Sequence, residues 1–256
     1  KNRERIQQLA TELEKSNKEL KKLDAAKSEF ISIASHQLRA PLAIIRGYVS
    51  MFLEGALAKA EEAKRAMERV AVSSDQLIKL VADLLDLSRI EAGRMKYDFK
   101  RVMLDDIVGE VVKEFTPTAR AKGLTFLFEN RNEGKRAVRG DPDKLREVVM
   151  NLIDNAIKYT SAGRGAVELS PESRDGREWL TLKVADSGIG VQSADIPRLF
   201  TKFTRTEEAR RIRADGLGLG LYVVKKIIED HGGRVSAESA GLGKGSTFSV
   251  SLPAIS

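Results

Sequence analysis

A seven-residue apolar repeat opens the chain and restricts its first third more than any other feature. Ile6, Leu9, Leu13, Ser16, Leu20, Leu23, Lys27 and Phe30 follow one another at alternating spacings of three and four. That is the a/d seam of a long helix, and such a helix pairs with a copy of itself or packs as an amphipathic rod within one chain. Ser16 and Lys27 weaken the seam and either fix its register or leave it adjustable. A second stripe continues it through Ile31, Ala34, Leu38, Pro41, Ile45, Tyr48 and Phe52. At 100° per residue, His36 lies opposite that stripe, which predicts a solvated imidazole. Pro41 removes one backbone donor, so the helix should bend there.

A connection at 54–60 containing Gly55 leads into a second helix over 61–92, with Met67, Val70, Leu77, Val81, Leu84 and Leu87 expected inward and Gly93 ending it. One such hairpin buries little; two from a dimer make a four-helix bundle. Beyond Arg94 the texture changes. Strand-like runs appear at 99–104, 124–129, 166–169, 179–185, 234–238 and 246–252, with helical patterns at 105–121, 142–159 and 217–231 between them. The expected fold class is therefore multidomain, α then α+β: an N-terminal coiled-coil helix (residues 1–26), a helical hairpin that dimerises into a four-helix bundle (residues 27–94) and an α/β sandwich (residues 95–256).

Composition narrows the chemistry. The chain has no cysteine, which excludes disulfides, thiolate zinc sites and thiol catalysis and is compatible with a reducing compartment. No apolar run approaches the roughly 20 residues of a membrane span, and no secretory leader is visible. The chain starts at Lys1 inside a helical pattern and reads as a piece of something longer or as a processed product. The net charge of +7 speaks to association and not to fold.

Three motifs in the sandwich region point to a ligand. Asn151-Leu-Ile-Asp154-Asn155-Ala-Ile-Lys158-Tyr159 places Asn151, Asn155 and Lys158 on one helix face. Two amide oxygens and an ammonium suit a phosphate chain with Mg²⁺, an ion that takes few ligands from protein. Alone, the motif is weak, and a polar helix face is the plainer reading. Asp186-Ser-Gly188-Ile-Gly190 follows an apolar strand; its carboxylate can accept from an adenine amino group, although a strand-ending turn is the plainer reading. Gly216-Leu217-Gly218-Leu219-Gly220 opens a helix, where free N–H groups favour anions, but it is neither a Walker loop nor a dinucleotide fingerprint. Between the last two lie Phe200-Thr-Lys-Phe203-Thr-Arg205 and a charged stretch at 206–215, together a loop or a mobile lid carrying Arg205, Arg210, Arg211 and Arg213. Gly243-Lys-Gly-Ser-Thr247 lacks Walker spacing and reads as a turn. His231, before Gly232-Gly233, reads as a structural cap of a helix C-terminus.

Together and in this order the three motifs resemble the ATP-binding domain of sensor histidine kinases, within the wider ATPase superfamily of gyrase, Hsp90 and MutL. Ser35-His36-Gln37-Leu38-Arg39-Ala40-Pro41-Leu42 resembles the phosphoacceptor motif of those kinases, and Leu84-Leu-Asp-Leu-Ser88-Arg89-Ile-Glu91-Ala-Gly93 resembles the end of the second hairpin helix. The resemblance spans residues 27–253. It implies a homodimeric, cytoplasmic kinase core, the cytoplasmic portion of a longer and sometimes membrane-anchored sensor. Such a core takes ATP and Mg²⁺, phosphorylates His36 and passes the phosphoryl group to an aspartate of a response-regulator receiver domain, with no nucleic-acid partner and no membrane segment in this stretch. By the same resemblance Asn155 is the Mg²⁺ ligand with Asn151 nearby, and Lys158, Tyr159 and Arg205 serve the phosphates. Asp186 reads adenine, Gly188, Gly190 and Thr247 line the pocket, and Gly216, Leu217, Gly218, Leu219 and Gly220 form the phosphate loop.

Two departures stand out. The family usually carries an acidic residue after the histidine; Gln37 can orient the ring but is a poor base. This leaves a nucleotide-binding signalling scaffold with weak kinase activity as the alternative. Ala40 stands where the family favours Thr or Asn, which implies weak phosphatase activity toward the phosphorylated regulator. An ATPase of the DNA-transaction or chaperone branch would leave the hairpin motif unexplained.

Overall fold

The computed structural model describes residues 2–56, 59–133, 136–212 and 216–255; within the first helix the side chains of residues 2–4, 6–16, 18–20, 22–27, 29, 30 and 33 are outside the description. The side chains of the expected coiled-coil seam from Ile6 to Phe30 therefore lie outside the described residues, as do Arg213 and Asp215 of the charged stretch. The chain divides into two compact units, Lys1–Val81 and Ala82–Ser256.

The first unit is helical. α1 (Asn2–Leu53) runs without interruption through Pro41, and α2 (Ala60–Glu91) returns after the turn at Gly55. Ala34 and Pro41 of α1 are buried, Leu38, Ile45 and Tyr48 half-buried, and His36 on the opposite side is exposed, as the period requires. Ile31 and Phe52, expected inward, are exposed. So are Met67 and Val81 of α2, because the buried seam runs one position earlier: Ala66 and Ser73, with Val70 and Leu77 half-buried, then Leu80. These spacings alternate four and three without a break, and a two-helix contact covers only that narrow stripe. Met67 and Val81 stand one residue, about 100°, off it.

In the second unit the last turns of α2 join an α/β layer. The elements are β1 (Lys100–Val102), α3 (Leu104–Ala121), β2 (Leu124–Asn130), β3 (Ala137–Gly140), α4 (Pro142–Tyr159), β4 (Gly163–Arg174), β5 (Arg177–Asp186), a 3-10 turn (Ile196–Arg198), α5 (Glu207–Ile212), α6 (Gly220–Asp230), β6 (Arg234–Glu238) and β7 (Ser246–Ile255). The sheet order is β1-β3-β7-β5-β4-β2, with β6 also paired to β7; only β2 and β4 run parallel. Val167, Leu169, Leu180, Leu182, Val184, Val250 and Leu252 point from the sheet into a core completed by Val108, Val111, Leu152, Ile153, Ile227 and Ile228 of α3, α4 and α6. Alternation along each strand sends one set of side chains into that core and the other to the open face. Pro171 is tolerated in β4 because β2 pairing ends at Asn130 opposite Leu169, so the missing N–H falls on a free edge.

Asp141 starts α4. Its Oδ1 accepts from the N–H groups of Asp143 and Lys144, at 3.0 and 3.1 Å, ahead of Pro142 at the first helical position. Its Oδ2 accepts from Asp98 N–H at 2.8 Å, tying the segment after α2 to the same point. His231 closes the junction from α6. Its Nε2 accepts the Asp141 N–H at 2.9 Å and Nδ1 lies 2.7 Å from the Ile227 carbonyl. A carbonyl only accepts and an amide N–H only donates, so the ring is the neutral Nδ1–H tautomer. Burial holds the His231 pKa below its usual value, and the rings of Tyr97, edge to face, and Phe99, tilted, pack against it at 5.0 and 4.8 Å. The structural role expected for this histidine is thus met by a cap on α6 that also reaches α4.

Candidate nucleotide site

The site forms where β5 ends, α4 exits and α6 begins. Asp186 terminates β5 with both carboxylate oxygens held: Oδ1 accepts from Gly188 N–H at 2.8 Å and Oδ2 from the Ser246 hydroxyl at 2.7 Å. Burial raises the Asp186 pKa, and these donors oppose the rise. With the Ser246 N–H counted as a third donor, the carboxylate still keeps acceptor capacity for a ligand.

Close approach dictates the glycines that follow. A Cβ on Gly188 would sit 2.3 Å from the Tyr159 carbonyl oxygen, and one on Gly190, whose φ is +67°, would sit 2.0 Å from the Gly241 carbonyl oxygen. The turn at 186–190 is zipped to the β6–β7 turn by Gly243 N–H to the Ile189 carbonyl (2.7 Å) and Gly245 N–H to the Gly188 carbonyl (3.1 Å). Ser239 stitches the same two turns: its hydroxyl accepts from Val191 N–H at 3.0 Å and donates to the Gly245 carbonyl at 2.6 Å.

Ser246 and Thr247 occupy opposite faces. Asp186 pairs with Ser246 and Ala185 with Thr247 across β5 and β7. Ser246 shares the parity of the buried Phe248 and Val250, so it reaches Asp186 on the helix side, whereas Thr247 alternates to the open face. Sequence reasoning chose Thr247 and missed Ser246. The signal that separates them is strand parity, readable once Phe248 is taken as a core residue.

The α4 face is assembled as its spacing predicts. Asn151 donates from Nδ2 to the Glu147 carbonyl at 3.0 Å, and its Oδ1 lies 3.0 Å from where a Gly220 Cβ would be, so the amide oxygen faces the glycine loop. Asn155 and Tyr159 are half-buried beside it. Lys158 is held by Asp154 of its own helix at 2.6 Å. The loop is anchored by Leu217 and Leu219, both buried, while Gly216 and Gly218 take φ of +111° and +68°. A Cβ on Gly218 would stand 2.7 Å from the Thr204 carbonyl oxygen. Leu219 offers no side-chain cap, so the first N–H groups of α6 are left for another acceptor. Arg205 donates to the Gly216 and Ala209 carbonyls at 3.1 and 3.2 Å.

These residues fit an adenine nucleotide with Mg²⁺. The Thr160 hydroxyl is buried without a partner among the described residues, and it lies 2.9 Å from where a Gly188 Cβ would be. An orphaned hydroxyl beside a carboxylate with spare acceptor capacity is a polar pair that a base can complete. The amide oxygens of Asn151 and Asn155 are hard donors suited to Mg²⁺, and among the described residues no cluster of three or more His, Asp or Glu competes as a metal centre.

Comparison with known proteins agrees with this geometry. Residues 140–256 match the family described as "Histidine kinase-, DNA gyrase B-, and HSP90-like ATPase", and residues 26–93 match "His Kinase A (phospho-acceptor) domain". The sensor histidine kinase WalK of Bacillus subtilis is 32% identical over 235 residues, 92% of this chain and 38% of WalK. This chain therefore spans under two-fifths of the length of that curated relative. Among solved structures, the histidine kinase AdeS of Acinetobacter baumannii has a TM-score of 0.63 at 27% identity, covering 85% of this chain and 97% of AdeS. Full-length ShkA in complex with AMPPNP has a TM-score of 0.63 at 26% identity, covering 90% of this chain and 46% of that one. With a phosphoacceptor hairpin followed by this ATPase-type layer along a single chain, the protein belongs to the sensor histidine kinases and carries their catalytic core.

Proposed function

We propose that this core transfers the γ-phosphoryl group of ATP to its own His36 and then to an aspartate of a response-regulator receiver domain. The observation that carries the reading is the end of β5, where the half-buried Asp186 carboxylate, held by Ser246, and the orphaned Thr160 hydroxyl meet at Gly188, in a chain that also turns Asn151 toward the glycine loop and presents an exposed imidazole at His36. The ShkA complex with AMPPNP supports an adenine nucleotide as the ligand.

Asp186 accepts from the adenine amino group, and the N–H groups at the start of α6 face the phosphates. Asn155, with Asn151 beside it, holds Mg²⁺, which when bound neutralises the phosphate chain. Lys158, released from Asp154, and Arg205, released from the lid carbonyls, add positive charge there. A neutral ring nitrogen of His36 attacks the γ-phosphorus in line, the bond to the bridging oxygen breaks, and ADP leaves. Gln37 accepts from the other ring N–H and orients it; that proton passes to solvent, since an amide is no base. A carboxylate oxygen of the receiver aspartate then attacks the phosphorus, the P–N bond breaks, and the leaving imidazole nitrogen takes a proton from solvent.

The chain works as a homodimer in the cytoplasm. The apolar side chains left exposed on the hairpin, Ile31, Phe52, Met67 and Val81 among them, support a second copy closing a four-helix bundle. Among the described residues no helix is long and apolar enough to cross a membrane.

Incubation with γ-labelled ATP tests the reading. The label should be acid-labile, alkali-stable, lost in His36→Ala, and transferable to one member of a panel of receiver domains. ATP binding with no label on His36 would instead support the weakly active scaffold that Gln37 suggests.

A further inference from the structure

Lys122 lies outside every motif discussed so far, yet it reaches into the nucleotide half of the fold. It follows α3 directly, and its ammonium donates to three carbonyls at the exit of α4: Ile157 at 2.7 Å, Thr160 at 3.2 Å and Lys158 at 3.3 Å. A helix ends with carbonyls that lack intrahelical partners, and it usually closes them with a glycine in the left-handed region. α4 has no such closure. Its C-cap, Thr160, is extended at φ −107° and ψ 116°, and the one basic residue of its last turn, Lys158, is taken by Asp154. The Tyr159 carbonyl accepts from Ile189 N–H at 3.1 Å. The end of α4 is thus clamped between Lys122 on one side and the turn at 186–190 on the other.

That turn carries Asp186. A Cβ on Gly188 would meet the Tyr159 carbonyl at 2.3 Å, Asp186 Oδ1 at 2.8 Å and Thr160 Oγ1 at 2.9 Å, so helix exit, carboxylate and orphaned hydroxyl crowd around a single glycine. With so little slack, the place of the α4 exit decides where the carboxylate stands. We propose that Lys122 is a positioning residue for adenine recognition, fixing the Tyr159–Thr160 exit of α4 against the Asp186 turn. The inference rests on Asp186 reading the base. Lys122 touches no nucleotide itself, and its charge also offsets the negative end of the α4 dipole.

The test uses the full chain and measures affinity for ATP and for inosine triphosphate, which carries a 6-oxo group in place of the 6-amino group, by displacement of a fluorescent nucleotide. Lys122→Met should weaken ATP by about tenfold, the scale of one charge-assisted hydrogen bond, and inosine triphosphate by less than about twofold, so the preference for ATP collapses. Lys122→Arg keeps a cationic donor and should restore most of the preference. Lys122→Gln, with a neutral donor, should fall between them. An unchanged ATP-to-inosine ratio in Lys122→Met overturns the proposal, whether both affinities hold or both fall together with the melting temperature. A wild-type chain that binds both nucleotides equally would instead overturn the assignment of Asp186, and this proposal with it.

Discussion

Replacing Asp141 by alanine tests whether the junction between α2, α4 and α6 holds the second unit together. The side chain is 8% exposed and accepts three backbone N–H groups: Asp143 and Lys144 at the start of α4 and Asp98 in the preceding segment. Loss of an aspartate N-cap costs about 1 kcal/mol. Leaving the Asp98 N–H without its charged acceptor adds about 1–2 kcal/mol. The sum, about 2–3 kcal/mol, is a large share of a typical domain stability. With a urea slope of about 2 kcal/mol per molar, the unfolding midpoint of Asp141→Ala should fall by about 1–1.5 M at pH 7. Asp141→Asn keeps one acceptor oxygen and should lose roughly half as much. The deficit should also shrink in acid. Burial pushes the Asp141 pKa up, but the donated N–H groups of Asp98, Lys144 and Asp143 outweigh it and hold the carboxyl below its usual range. A group depressed in this way contributes its stability above the unfolded pKa and loses it as pH falls through the folded one. Circular dichroism during urea titration reads all of this. A midpoint shift under about 0.3 M at pH 7 would refute the reasoning, because a shift that small is worth less than the cap alone.

Three further outcomes are expected. His231, whose pKa burial holds below the ordinary imidazole value, takes its proton more readily when unfolded. Stability should therefore be full above about pH 6.5 and fall below it, by up to about 1.4 kcal/mol per pH unit, and His231→Gln should flatten that slope in thermal melts. Gly245→Ala places a Cβ 2.0 Å from the Asp186 carbonyl oxygen at a φ of +71°; it should cost about 1–3 kcal/mol and weaken ATP binding by isothermal titration, with wild-type affinity refuting the steric argument. Gln37→Glu supplies the base that the amide lacks, so the initial rate of His36 labelling should rise; an unchanged or lower rate removes the reading of Gln37 as a handicap.

Local rules carried much of the fold into view. The observed α4, Pro142–Tyr159, coincides with the helical pattern at 142–159 because Asp141 before Pro142 is a cap written in adjacent residues. β6, Arg234–Glu238, likewise coincides with the run at 234–238. β3, Ala137–Gly140, went unseen: four residues are too few for a periodic signal, and the strand exists because β1 and the end of β7 pair with it from far along the chain. α5, Glu207–Ile212, carries no helical signal in the sequence, since six mostly charged residues show no apolar face.

The division within the site has the same cause. Residue types and spacings inside single segments mark Asn151, Asn155, Asp186 and the glycines as candidates, and point His36 away from its apolar stripe. What tertiary structure alone decided is which partner each group finds: Ser246 rather than Thr247 beside Asp186, Ser239 between two turns, Lys122 on the α4 exit, His231 on Asp141. These bonds join residues roughly 35 to 90 positions apart, except within the β6–β7 turn, and depend on strand register and helix packing. Periodicity is a property of neighbours along the chain, whereas a hydrogen bond between distant segments is fixed only when the sheet brings them within about 3 Å.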